Sequence, residues 1–223
     1  MNNEKFIDKS TSKIFALSAL AMGCSAPALA GIGEADLMIT FEVESFNFVH
    51  QTLDGSDIGT SMTGTILIDL DVPDHIPQDD FAGYSSSILS VSVASGGVTF
   101  ASSRAGNIII NSGISDPNWN SVNFDVASPY FGVTSGSVNG LNIDRFTLGI
   151  NGDGSLLSGE GLVEALTNDT LSSADYITAK VLHDVSSSAA WGYVSDINIT
   201  AVPAPSAAAL LGLSGFVATR RRR

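Results

Sequence analysis

The chain has 223 residues, with 23 acidic against 10 basic side chains and a formal net charge of −13. Its single cysteine, Cys24, excludes a disulfide framework and a cysteine-built metal centre. The acidic surplus excludes nucleic acid as a partner class, because phosphate is repelled by a negative surface.

The first 30 residues read as a secretory signal peptide. Lys5, Lys9 and Lys13 form a positive n-region, and Ile14 to Ala26 an apolar h-region. Ala28-Leu29-Ala30 supplies a small-x-small cleavage site, so the mature chain is expected to begin at Gly31. A lipoprotein reading would use Cys24, but Ala21 stands where a lipobox has leucine. Residues 31–201 then form one domain of ordinary size, long enough to bury about 70% of its unfolded surface. This body holds three basic residues, Arg104, Arg145 and Lys180, against 21 acidic ones, a formal charge of −18. No apolar run inside it is long enough to span a membrane.

Strand signals fill the body. Met38 to Val43 alternates, with Ile39, Phe41 and Val43 on one face, and Phe46 and Phe48 resume the alternation after a one-residue shift. Thr65 to Leu70, Leu89 to Val93, Val98 to Phe100, Asn107 to Ile110 and Val122 to Val126 follow. Leu141 to Ile150, Ile177 to Leu182 and Tyr193 to Thr200 complete the series. Turn residues punctuate these runs at Asp54-Gly55, Gly96-Gly97, Asn139-Gly140 and Asn151-Gly152. Gly161 to Leu166 is the one helical candidate, and it reads equally as loop. The pattern predicts an all-β body, an antiparallel β-sandwich or jelly roll.

Candidate chemistry is sparse. Asn151, Asp153 and Ser155 place oxygen ligands at alternate positions, like the opening of a calcium loop. The twelfth position of such a loop needs glutamate, and Leu162 stands there, so a glycine-rich turn is the favoured reading. Asp69, Asp71 and Asp74, near Asp79 and Asp80, read as a solvated acidic loop. His50, His75 and His183 are too scattered for a metal site. His183 and Asp184 are neighbours in a serine-rich chain, but no Gly-x-Ser-x-Gly elbow accompanies them, so no catalytic residue is assigned. Trp119, Trp191 and the four tyrosines suit either a sugar-stacking platform or packing against the sheet, and packing is favoured. No cofactor is expected, with calcium the one candidate.

The chain ends in three distinct parts. Pro203-Ala204-Pro205-Ser206 precedes a run of small and apolar residues from Ala207 to Thr219, and Arg220, Arg221, Arg222 and Arg223 close the chain. The apolar run would reach roughly 20 Å as a helix, against a bilayer core of about 30 Å, so it is a marginal span. Snorkelling arginines make up part of the deficit, and their charge favours the cytoplasmic side, which puts the body outside.

Residues 202–223 resemble the PEP-CTERM sorting signal, with Ala204 where the usual motif has glutamate. The resemblance implies a short transmembrane helix that anchors transiently in the inner membrane. It also implies cleavage near the proline motif by an exosortase-type enzyme. Bacteria carrying such signals often make exopolysaccharide, which enters as a candidate partner. The expectation is an exported cell-surface or extracellular-matrix protein without catalytic role, the alternative being a carbohydrate- or calcium-binding surface module.

Overall fold

Period-two alternation becomes β-strand almost wherever it occurs in the chain. The computed structural model describes residues 36–49, 55–76, 78, 81–112, 119–127, 129–136, 138, 143–157, 161–183 and 188–202. The expected signal peptide and the tail from Pro203 to Arg223 lie outside the described residues. Among the described residues, no helix is long and apolar enough to cross a membrane.

Strands β1 (Leu37–Val43) and β2 (Asn47–Val49) open the body, and a single turn of helix, α1 (Gly55–Ile58), leads to β3 (Met62–Ile68). Two long strands follow, β4 (Phe81–Ser95) and β5 (Val98–Asn111), then β6 (Trp119–Ala127), β7 (Phe131–Ser135) and β8 (Arg145–Asp153). Short helices α2 (Leu162–Ala165) and α3 (Asn168–Ser173) precede β9 (Tyr176–His183), β10 (Ser188–Tyr193) and β11 (Asp196–Ala201). The strands form one antiparallel sheet in the order β11-β1-β3-β4-β5-β6-β8-β9-β10-β2, with β7 beside β5. The protein is all-β, as its alternation predicts.

The sheet curls because its longest hairpin bends. Gly96 and Gly97 form the hairpin's two-residue turn with φ of 55° and 86°, which β-branched or bulky residues would resist. Farther along, the β4–β5 register shifts between Tyr84 and Ile88 and again before Ser90. Ser86 adopts a positive φ of 64° at this bulge, and Ser87 donates its hydroxyl to the Tyr84 carbonyl at 2.9 Å. Such a bulge bends a strand and sharpens its twist. Beyond it the hairpin changes neighbours. The turn-side half of β5 pairs with β7 and the far half with β6, while β3 pairs with the turn-side part of β4.

Curling brings distant strands face to face across the core. Phe41 on β1 stacks on Phe146 on β8, with centroids 5.7 Å apart. Phe131 on β7 lies 6.0 Å from Phe146 and 6.2 Å from Phe100. Phe100, Phe124 and Phe146 are fully buried, together with Ile39, Ile66, Ile108 and Ile110. These are the inward members of alternating strands.

Several boundaries differ from expectation. The run from Tyr193 to Thr200 is two strands. At Val194 and Ser195 the backbone bonds first to Ile177 on β9 and then to Glu42 on β1, so the chain crosses from one part of the sheet to another. The larger apolar residues keep to odd positions through the crossing while the buried side passes from Ala190 and Gly192 to Ile199, so sequence alternation alone does not reveal it. Val98–Phe100 and Asn107–Ile110 are conversely parts of the single strand β5. Asn151-Gly152 belongs to β8, and the turn falls three residues later at Gly154-Ser155, closed by Leu156 N–H donating to the Asp153 carbonyl at 3.0 Å. Gly161 is the N-cap of α2. Helices α1 and α3 were not expected. Thr167 caps α3 by accepting from the Thr170 N–H at 3.0 Å.

Helix α3 also covers a sheet edge. The Asn168 side chain accepts from the Ile199 N–H at 3.2 Å and donates to the Ile199 carbonyl at 3.3 Å, standing in for a neighbouring strand along β11. An uncovered edge would offer its backbone groups to another chain.

Candidate functional site

Side chains alternate across a sheet, so the buried Ala190 leaves Trp191 and Tyr193 on the face turned away from the core. The registers place that face in rows. Tyr193 on β10 pairs with Thr178 on β9, Thr178 with Gly149 on β8, and Gly149 with Asn123 on β6. One row over run Trp191, Lys180, Thr147 and Asp125, and on the other side Tyr176, Asn151 and Ser121. From β10 to β5 this face spans about 19 Å, at roughly 4.8 Å per strand.

Aromatic rings occupy one end. Tyr193 is 58% exposed and packs edge-on against Trp191, centroids 5.6 Å apart, and against Tyr176 at 6.2 Å. This corrects the favoured packing reading for Tyr130, Tyr176 and Tyr193, while Trp191 is half-buried against the sheet. Of the four tyrosines only Tyr84 is buried, while Tyr130 is exposed elsewhere. Trp119 opens β6, and its side chain lies outside the described residues. At the far side, Arg145 grips Asp125 through two hydrogen bonds of 2.8 and 2.7 Å. Pairs as exposed as this contribute little stability, so its effect is to neutralise two charges on the face. Next to β5, His75 and Ile76 lie over Gly83 on β4 and bound the surface there.

The acidic groups take structural positions. Among the described residues, Asp36, Asp69 and Asp71 are the carboxylates close enough to share a cation, their oxygens lying within 4.8 Å of one another. Two already accept backbone hydrogen bonds: Asp36 from Leu70 N–H at 2.8 Å and Asp69 from Asp71 N–H at 2.9 Å. The Asp36 carbonyl also accepts from Val202 N–H at 2.9 Å, which ties the end of the last strand to the start of the first. Asp74, expected beside Asp69 and Asp71, instead accepts from Ile76 and Gly83 N–H groups, each at 2.9 Å. Asp79 and Asp80 lie outside the described residues.

Asn151, Asp153 and Ser155 stand at the end of β8 and in the turn that follows. The Asn151 amide lies over Gly149, away from the turn. Asp153 accepts from Ser155 twice, from its hydroxyl at 2.5 Å and its N–H at 2.8 Å. The hydroxyl bond first, and the N–H bond second, hold the carboxyl below its ordinary value of 3.8. A depressed carboxyl contributes stability above its unfolded pKa and loses it as pH falls through the folded one. Ser155→Ala is therefore expected to raise the Asp153 titration towards 3.8, read by carboxyl NMR. An unmoved titration would show that the hydroxyl is not its partner.

One serine meets a histidine. His75 Nε2 lies 3.0 Å from Ser85 Oγ, and His75 Nδ1 accepts from the Ser85 N–H at 3.3 Å. With Nδ1 accepting, Nε2 in the neutral ring carries the proton and donates to the hydroxyl. A general base needs the opposite polarity. His50 and Asp184 lie outside the described residues, as does the His183 side chain, so the His183-Asp184 pair has no described geometry.

Comparison with protein families, curated proteins and solved structures returns no match.

Proposed function

We propose that the chain is an exported cell-surface or extracellular-matrix protein that holds carbohydrate on the outer face of β6, β8, β9 and β10. The observation that carries this reading is the cluster of exposed Tyr193 and Tyr176 with half-buried Trp191, beside a field of asparagine and threonine side chains. An aromatic ring offers a sugar a flat apolar surface and, in tyrosine and tryptophan, a polar tip. Amides and hydroxyls supply the donors and acceptors that sugar hydroxyls need. Exopolysaccharide is the partner in this reading, and no catalytic role is assigned.

Export and sorting rest on the two ends of the sequence. The signal peptide carries the chain across the inner membrane, the short apolar tail holds it there transiently, and an exosortase-type enzyme releases it near Pro203-Ala204-Pro205. The finer architecture we propose is a sandwich or jelly roll, the two parts of the sheet sharing the bent β4–β5 hairpin. Stacking of Phe41 on Phe146 across the core supports it.

Glycan-array binding by the exported protein tests the function. Tyr193→Ala is expected to weaken binding about tenfold, equivalent to about 1.4 kcal/mol, with little change in the melting temperature because the ring is largely exposed. Absence of binding to every glycan would overturn the reading. Arms with calcium and with chelator separate it from one in which Asp36, Asp69 and Asp71 hold a cation that the glycan requires. Intact mass of the mature form is expected to begin at Gly31 and to lack Arg220–Arg223. A mature form that keeps those arginines would replace the sorting signal with a permanent anchor.

A further inference from the structure

Lys180 is the one lysine of residues 31–201, in a body whose formal charge is −18. It lies on the outer face of β9, between the buried Ala179 and Val181. The side chains opposite it are not carboxylates: Trp191 stands on one side and Thr147 on the other. Lys180 is half-buried, and among the described residues it makes no ion pair and no side-chain hydrogen bond. Asp125, in the same row, is two strands away and gripped by Arg145. An ammonium offers three donors and no acceptor, and partial burial raises the cost of leaving it without a counter-charge. Its position relates it to the rings. Side chains directly opposite on paired strands lie about 5 Å apart, and diagonal ones about 7–8 Å. Trp191 is opposite Lys180, and Tyr193, which pairs with Thr178, is diagonal to it. The flexible lysine stem therefore reaches a molecule lying on either ring.

We propose that Lys180 is the anion seat of this face, and that the ligand is a glycan carrying an acidic sugar whose carboxylate pairs with the Lys180 ammonium while its ring lies on Tyr193 and Trp191. This rests on the carbohydrate reading above and names its ligand class. In a uronic acid the ring itself bears the carboxylate, so stacking the ring also places the charge. The resulting charge-assisted hydrogen bond is shorter and stronger than one between neutral groups. The charge of the body sets a limit. One cation balances one carboxylate, and a chain acidic at every sugar is repelled by the surrounding −18, as nucleic acid is. The ligand is therefore a glycan whose acidic sugars are set apart by neutral ones. In the row of Trp191 the one carboxylate, Asp125, is already neutralised by Arg145. Repulsion from acidic groups farther off is screened within about 8 Å at physiological salt.

The test is calorimetry of the full exported chain against two oligosaccharides of matched length, one of neutral hexoses and one with a single internal uronic acid. The wild type is expected to bind the acidic oligomer at least tenfold more tightly, and to lose that preference as salt rises. Lys180→Met keeps an apolar stem and removes the charge. It is expected to erase the preference while leaving the melting temperature and the affinity for the neutral oligomer close to wild type, and Lys180→Arg to retain the preference. Tyr193→Ala should weaken both series alike. Equal affinity of the wild type for the two oligomers, or a preference that survives Lys180→Met, would overturn the anion seat and leave the aromatic face standing. If the wild type binds neither oligomer, the carbohydrate reading itself fails.

Discussion

Phe146→Ala is expected to cost the β unit about 3–5 kcal/mol, the largest single-residue effect anticipated in this chain. Phe146 is fully buried on β8 and touches both Phe41 and Phe131, so it is the ring through which three strands of the curled sheet meet. Removing it deletes the apolar area and leaves a cavity. The neighbouring rings are held by their own strands and collapse into that cavity only in part. Urea unfolding should show a lower midpoint with an unchanged slope, because the surface exposed on unfolding is nearly the same. At about 2–4 °C per kcal/mol for a unit of this size, the melting temperature should fall by roughly 6–20 °C. A loss below about 1 kcal/mol would mean that the rings do not meet in solution as they do here.

Gly64→Ala is expected to destabilise by about 1–3 kcal/mol, although alanine is normally the better residue in a strand. The outer end of the Phe41 ring occupies the space above Gly64 on β3, so a methyl group there would overlap the ring atoms. Phe41 cannot retreat, because Phe146 stacks on its other side. The ring and the glycine are therefore one packing unit. Phe41→Leu, itself destabilising, should relieve the Gly64→Ala penalty, so that the double variant loses less than the sum of the two single losses. Strict additivity would show that Gly64 is small for some other reason.

The sequence was legible wherever the physics is local. Ile39, Phe41 and Val43 alternate inward on β1 as their spacing predicts, and Gly96-Gly97 makes the turn that two positive φ angles require. Signals that depend on where the chain goes next were not legible. At the crossing through Val194 and Ser195 the apolar spacing in the sequence continues although the buried side reverses, so two strands read as one. The serines at the β4 bulge carry no apolar pattern to announce that β4 and β5 are each continuous through it.

The candidate site divides in the same way. Trp191, Tyr193 and Asn151 stood out from their residue types, and so did Asp69 and Asp71. Asp36 did not, because nothing near it in the chain marks its place beside them. Asp36 reaches Asp69 and Asp71 only because β1 lies beside β3. Lys180 stands beside Trp191 only because β9 lies beside β10, in a register set by the core-facing residues of each strand. By itself the sequence determined the antiparallel all-β class, because side-chain alternation and turn chemistry act within a few residues. Tertiary structure alone decided which outward side chains share a face, because pairing and register depend on how distant strands bury their other side.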